Sequence, residues 1–282
     1  MFLALFAALM HAIFGALQKG RHDPWLTRGA IDFCYAVIAM PIALFLVPWP
    51  EPDMWLFFAG VFVIHVAYKF TQAKAYSHGA YTVVYPVVRG LGPVITVTFA
   101  GFVFGEEFGA VQWGGLAVLS LSILALAVLN LRREKINRNA LKLALAWAVA
   151  TGFMVAIYTT YDAFGIRKTP NPFTFLAWFF FLDGMLFPVI AIVKWRRMQH
   201  PPLLRPLMAR GFIGGIVAYL SFGSILMATR LDKVGEAAVL RETSTVFAAL
   251  IGWLFLKEAV GPARAILMGL IAAGAVLVEF GS

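Results

Sequence analysis

Two arginines set inside apolar runs, Arg89 and Arg241, are the residues of this chain best placed to do chemistry. Arg89 stands in VVYPVVRGLGPV, Val83 to Val94, and Arg241 in LRETST, Leu240 to Thr245. A guanidinium inside a bilayer costs roughly 2.5 kcal/mol or more, so it persists where it meets a cavity, a partner or an anionic solute. Its planar fork matches carboxylate and phosphate groups. Two such cations point to binding, not bond-making. Tyr85, His11, His65, Lys69, Tyr158, Thr243 and Ser244 join them as candidate cargo contacts. His65 and Lys69 are four apart and share a helix face. Asp183 and Glu242 are candidates for a coupling group or a charge partner. Pro86 and Pro93 remove backbone donors and Gly90 and Gly92 loosen the chain, so these four predict a broken helix that can act as a hinge.

The remaining acids read as structural. Asp32 and Asp162 fall near predicted helix ends, at the interface, and Glu106 and Glu258 fall in turns, where carboxylates cap helices. No metal site is expected, because HExxH is absent and no three ligands share a face. No cofactor is expected either. GxxxxGK[ST] and GxSxG are both missing, which argues against ATP as the energy source and against a hydrolase of that type. The chain is not expected to be an enzyme.

The elements that must hold these residues are membrane spans. The chain has 282 residues, 61% hydrophobic and 13% charged, where a soluble domain carries about 25% charged residues. The mean hydropathy is +0.84. Cys34 is the single cysteine, so no intrachain disulfide can form. A span needs about 20 mostly apolar residues. That rule places helices near 2–18, 29–48, 54–74, 81–104, 110–131, 141–161, 173–193, 211–229, 235–256 and 262–280. The first begins at residue 2 without a basic leader or a cleavage site, and reads as a span, not a signal peptide.

The net charge of +9 lies mostly in the odd-numbered loops. Examples are Arg132, Arg133, Lys135 and Arg138, then Lys194, Arg196, Arg197, Arg205 and Arg210. The even-numbered loops are acidic or balanced, with Glu51 and Asp53, then Glu106 and Glu107. The positive-inside rule puts the odd loops in the cytoplasm and both termini outside. The basic, aromatic-flanked stretch 195–210 could suit RNA or lipid headgroups, but a cytoplasmic loop explains it more simply. No nucleic-acid partner is expected.

A repeat runs through the chain. Glu106 follows Arg89 by 17 residues, with Gly109 and Gln112 beyond; Glu258 follows Arg241 by 17, with Gly261 and Arg264 beyond. Val66-Ala67-Tyr68 is echoed by Val217-Ala218-Tyr219. The expected fold is an all-α integral membrane protein of ten transmembrane helices, two inverted five-helix repeats over 1–132 and 133–282. Inversion would set Arg89 and Arg241 on opposite sides of the midplane. The expected cavity is lined by the first, third, fourth, sixth, eighth and ninth helices.

Two five-helix halves ending in FGEEFG and FLKEAVG, each followed by a Gly-rich last helix, resemble the EamA family of the drug/metabolite transporter superfamily. LMHAIFGALQK, YPVVRGLGPV, YTTYDAFGIR and LRETSTVFAALIG resemble one bacterial branch of it. The resemblance covers essentially the whole chain. It implies a multi-pass protein of a bacterial inner membrane that carries small metabolites by alternating access. Relatives carry amino acids, nucleotide-linked sugars, drugs and other metabolites, and some sit in phosphonate-utilisation settings. The chain departs from the family in one respect: relatives are usually described with both termini in the cytoplasm.

The expected function is transport of a small polar metabolite, anionic or zwitterionic, with a carboxylate or phosphonate. The carrier would be a monomer or homodimer in the lipid bilayer, either proton-linked or an uncoupled exchanger. The rivals are an intramembrane enzyme acting on a lipid-linked substrate and a non-catalytic membrane subunit.

Overall fold

The computed structural model describes residues 1–18, 23–79, 81–132, 138–256 and 261–281. The chain runs through α1 (Phe2–Gln18), α2 (Pro24–Pro41), α3 (Pro52–His78), α4 (Tyr81–Phe104), α5 (Ala110–Leu131), α6 (Arg138–Lys168), α7 (Pro172–Asp183), α8 (Leu186–Arg196), α9 (Leu204–Leu231), α10 (Val234–Arg241), α11 (Ser244–Leu256) and α12 (Pro262–Phe280). A π-helical turn, Ile42–Leu46, extends α2. Among the described residues every regular element is helical.

Local sequence sets most helix starts. Asp23 accepts the amide of Trp25 at 2.9 Å and Pro24 takes the first position of α2. Asn171 and Pro172 repeat the device for α7, with Asn171 Oδ1 2.9 Å from the Phe173 amide. First-turn amides have no helical acceptor, so a side-chain acceptor or a proline suits those positions. Gly105 follows the end of α4 at φ +65°, a left-handed conformation that glycine adopts freely.

Among the described residues, eight segments are long and apolar enough to cross a membrane: Pro24–Leu46, Pro52–His78, Val83–Phe104, Ala110–Leu131, Asn139–Lys168, Pro172–Arg196, Leu204–Leu231 and Pro262–Phe280. α1 and the pair α10–α11 are shorter.

Three expectations change here. First, α4 runs unbroken through Pro86, Gly90, Gly92 and Pro93. Its glycines serve close packing: a β-carbon on Gly90 would lie 2.8 Å from Leu124 Cγ of α5. Second, the breaks fall elsewhere. Predicted helix 173–193 divides after Asp183, and 235–256 divides at Glu242–Thr243, where no proline or glycine stands. At the second break Thr243 turns its hydroxyl onto Leu240 O at 2.6 Å, a local bond that competes with helix continuation. Third, α2 starts at Pro24 instead of near 29 and α6 continues to Lys168 instead of 161. Asp32 and Asp162 therefore sit inside helices, fully buried, and are not interfacial.

The segments before residue 132 interlock with those after 138. α12 packs on α5, α6 on α3 and α4, and α9 on α1 and α2. Small residues allow this. A β-carbon on Gly115 would lie 2.7 Å from Gly274 O, and one on Gly274 would lie 2.6 Å from Gly115 O. Gly211, Gly214 and Gly215 press on Ala30, Ile31 and Cys34 of α2 in the same way. Gly114, next to the contact, has nothing within 4 Å of such an atom. Gly115→Ala is therefore expected to destabilise by about 1–3 kcal/mol through overpacking. Gly114→Ala is expected to be neutral or stabilising by up to ~1 kcal/mol through helix propensity. Thermal unfolding of the two variants in detergent checks the contrast; equal losses would refute it.

Candidate functional site

The break after Asp183 organises the first part of the site. A helix end leaves carbonyls without amide partners, and here Lys69 from α3 serves the carbonyl of Asp183 at 2.8 Å. The same ammonium lies 2.8 Å from Asp183 Oδ1, 2.6 Å from Asp32 Oδ2 and 3.0 Å from the Tyr35 hydroxyl. Its three protons are fully engaged, and it is 1% exposed. Tyr35 donates to Asp183 Oδ2 at 2.5 Å. Arg28 Nε meets the other oxygen of Asp32 at 2.7 Å, one helical turn away. His65 Nε2 lies 2.8 Å from Asp162 Oδ2 of α6, and its Nδ1 lies 3.6 Å from Asp183 Oδ1. One buried network thus ties α2, α3, α6 and α7 together.

The break at Glu242–Thr243 organises the second part. Arg89 Nη1 of α4 meets Glu242 Oε1 at 2.7 Å, both buried. The guanidinium carbon of Arg89 lies 5.3 Å from the centre of the Tyr85 ring, and His11 stacks on that ring at 6.5 Å. Arg241 is different. It is buried, finds no hydrogen-bond or ion-pair partner among the described residues, and its Nε is sealed from solvent. The charge of Arg241 acts on His11, Tyr68, Asp162 and Glu242. Glu242, its chain neighbour, holds Arg89, so the two arginines converge on one place.

Between the two parts lies a partly enclosed cavity of ≈ 680 Å³, counted to its mouth. His11, His65, Tyr85 and Asp183, all expected at the site, line it. Arg28, Tyr35, Gln72, Tyr76, Phe179, Phe180, Ser221 and Phe222 line it as well and were not singled out beforehand as cargo contacts. Its walls come from α1, α2, α3, α4, α7 and α9. The α2 and α7 walls take the place of the expected sixth and ninth predicted helices, because the lysine network draws α2 and α7 inward.

The other expected contacts, Arg89 and Arg241 among them, lie behind the wall. Lys69 is spent on its carboxylates. Tyr158 packs its ring 4.9 Å from His65 and 4.7 Å from Tyr68. Thr243 is committed to Leu240, while the buried Ser244 hydroxyl has no partner among the described residues. Asp32, Asp162 and Arg28 were missed. For the two aspartates a signal exists in the apolar context, IDFCYAVIA around Asp32 and YTTYDAFGI around Asp162, which is that of a span interior.

The opposite end of the molecule is shut. Glu106 caps a helix, as a turn carboxylate should, but the helix is α10 from far along the chain: it accepts Val234 N at 2.7 Å and Gly235 N at 3.0 Å. Arg167 joins Glu106 at 3.4 Å and donates to Thr229 O and Asp232 O at 2.7 and 2.8 Å. Arg230 returns the favour, donating to Ile166 O and, at 2.7 Å, to Thr169 O. The residues that close this end belong to the even-numbered loops. Gly15, Arg28, Gln72 and Tyr76, which line the cavity, stand near the odd-numbered ones.

A bundle of membrane-length helices around a polar, aromatic-walled cavity with one open and one sealed end defines a class: solute-handling membrane proteins. The profile of the EamA-like transporter family matches residues 1–128 and again 142–280. The chain belongs to that family, within the drug/metabolite transporter superfamily, and is a multi-pass membrane protein. Members of the family are transporters. A solved crystal structure is similar over 100% of this chain and 98% of its own, with a TM-score of 0.76 and 18% identity. At that identity the likeness concerns the fold alone. No curated protein matches the chain.

Proposed function

We propose that the protein is a secondary carrier of a small zwitterionic or anionic metabolite, and that the anionic group of the cargo is received at Arg241. The carrying observation is that the buried guanidinium of Arg241 has no hydrogen-bond or ion-pair partner among the described residues. A buried unpaired charge is costly, and an anionic solute would remove that cost. Charge counting favours a zwitterion. Arg28 and Asp183 line the cavity, and Lys69, Arg89 and Arg241 are buried behind its lining with Asp32, Asp162 and Glu242, so with neutral histidines the set is balanced. A cargo carrying both signs leaves it balanced. The aromatic wall of Phe179, Phe180 and Phe222 suits an apolar remainder.

The two profile matches support two five-helix repeats over 1–132 and 133–282. On this reading α1, and α7–α8 and α10–α11 each taken as one broken span, bring the total to ten. Inverted repeats alternate access by moving against each other around a fixed site. The cavity then faces the odd-loop side, the cytoplasm by the positive-inside rule, with both termini outside. Placement in a bacterial inner membrane, transport as monomer or homodimer, and a carrier role instead of catalysis all belong to this proposal.

Alternating access makes Glu106 the latch of the sealed end. Glu106→Ala removes two charge-assisted bonds to the start of α10, each worth about 1.5–3 kcal/mol. Amide hydrogen exchange over residues 232–241 is expected to rise roughly ten- to a hundredfold for ~1.4–2.8 kcal/mol of that loss, with exchange in α5 unchanged. Unchanged exchange at α10 would remove Glu106 from the gate.

The function itself is tested in proteoliposomes loaded with a mixture of small carboxylates, phosphonates, amino acids and amines. Mass spectrometry of the interior should show protein-dependent, saturable loss of one compound with its mass unchanged. A new mass would make the protein an enzyme. No loss and no new mass would leave a non-catalytic subunit.

A further inference from the structure

A second site lies on the outside of the bundle. α2, α8 and α9 leave a groove of ≈ 860 Å³ between them, which shares no lining residue with the cavity. Its floor is Leu26, Ala30, Ala191 and Leu207, all buried, and its rim is Phe33, Ile192 and Leu204, all exposed. The helices meet at its base because a β-carbon on Gly29 would fall 2.2 Å from that of Ala191. The long faces of the groove are therefore apolar.

One end of it is strongly cationic. Arg196 and Trp195 line that end. From Lys194 to Arg210 the chain carries Lys194, Arg196, Arg197, Arg205 and Arg210 and no acidic residue. Lys194 is neutralised by Asp23 at 2.6 Å. Arg196, Arg197 and Arg205 are exposed and make no ion pair among the described residues. Trp195 donates its indole N–H to Pro202 O at 2.9 Å, fixing the loop beside the groove.

From this juxtaposition we infer that the groove between α2, α8 and α9 is a binding site for an anionic phospholipid. Its acyl chain lies along Leu26, Phe33 and Ile192, and its phosphate sits at Arg196 with Arg205. The apolar length explains why the ligand is a lipid and not a free phosphate. The unneutralised arginines explain why it is anionic, since basic pockets between spans at the cytoplasmic surface recognise such headgroups. The inference does not depend on what the central cavity carries.

Native mass spectrometry of the full chain in detergent tests it, with dioleoylphosphatidylglycerol and dioleoylphosphatidylcholine added in parallel. One phosphatidylglycerol adduct should dominate and survive collisional activation that strips phosphatidylcholine. Arg196→Gln should weaken it roughly fivefold, the effect of one basic residue at an anionic membrane surface. Ile192→Trp, which fills the groove from its exposed rim, should weaken both lipids. Arg132→Gln, an equal charge change elsewhere on the odd-loop side, should leave the adduct intact. Equal retention of the two lipids would overturn the proposal. So would equal losses in Arg132→Gln and Arg196→Gln, which would mean diffuse charge only. A lipid-free dimer broken by Ile192→Trp would also overturn it, giving the groove to a second copy of the chain.

Discussion

Lys69→Ala is expected to cost about 3–5 kcal/mol of stability, the usual effect of removing one partner from a buried ion cluster. The substitution leaves Asp183 and half of Asp32 without their shared cation, and frees the Asp183 carbonyl at the α7 break. For a chain of this size that corresponds to a fall of roughly 6–20 °C in melting temperature. The buried thiol of Cys34 is a ready reporter, since it reacts with a thiol dye only on unfolding. Lys69→Met with Asp183→Asn should recover part of the loss, because the double change removes opposite charges together. A single variant within 0.5 kcal/mol of wild type would show that the network is not what holds α2, α3 and α7.

The second large effect separates the two arginines that the proposed repeat would make equivalent. Arg89→Met should cost about 3–5 kcal/mol, because it leaves Glu242 buried and alone. Arg241→Met should cost little or even stabilise, because it removes a buried charge that has no partner among the described residues. Adding Glu242→Gln to Arg89→Met should restore most of the loss. The same thiol assay reads all three variants. Equal destabilisation by Arg89→Met and Arg241→Met would mean that Arg241 has a structural partner, and the cargo site would lose its basis.

Much of this architecture can be read before any coordinates. Arg89 and Arg241 announce themselves by charge against apolar surroundings, while Glu258, whose spacing suggests a repeat, lies outside the described residues. Pro24, Pro52, Pro172 and Pro262 mark helix starts because proline tolerates a first turn and little else. Pairing is harder to see. Lys69 meets Asp32 across 37 residues and Asp183 across 114, and nothing in the local sequence encodes such reach. Asp32 and Asp162 were misplaced by an error in helix length: five to seven residues at α2 or α6 move a carboxylate from the interface into the interior. The hinge moved for a related reason. Gly90 satisfies a packing demand from α5 that a single helix cannot reveal, while the Glu242–Thr243 turn arises from a threonine hydroxyl and a buried ion pair.

The central claim is that Arg241 receives the anionic group of a transported solute. The measurement that tests it most directly is a melting-temperature screen of wild type and Arg241→Met in detergent. The panel matches carboxylates, phosphonates, zwitterions and amines for size. A ligand at a hundred times its dissociation constant stabilises by about 2.7 kcal/mol, which such a screen resolves. The account predicts that zwitterionic or anionic compounds raise the melting temperature of wild type and leave folded Arg241→Met unmoved. Stabilisation by amines alone, or equal stabilisation of both proteins by anions, would contradict it.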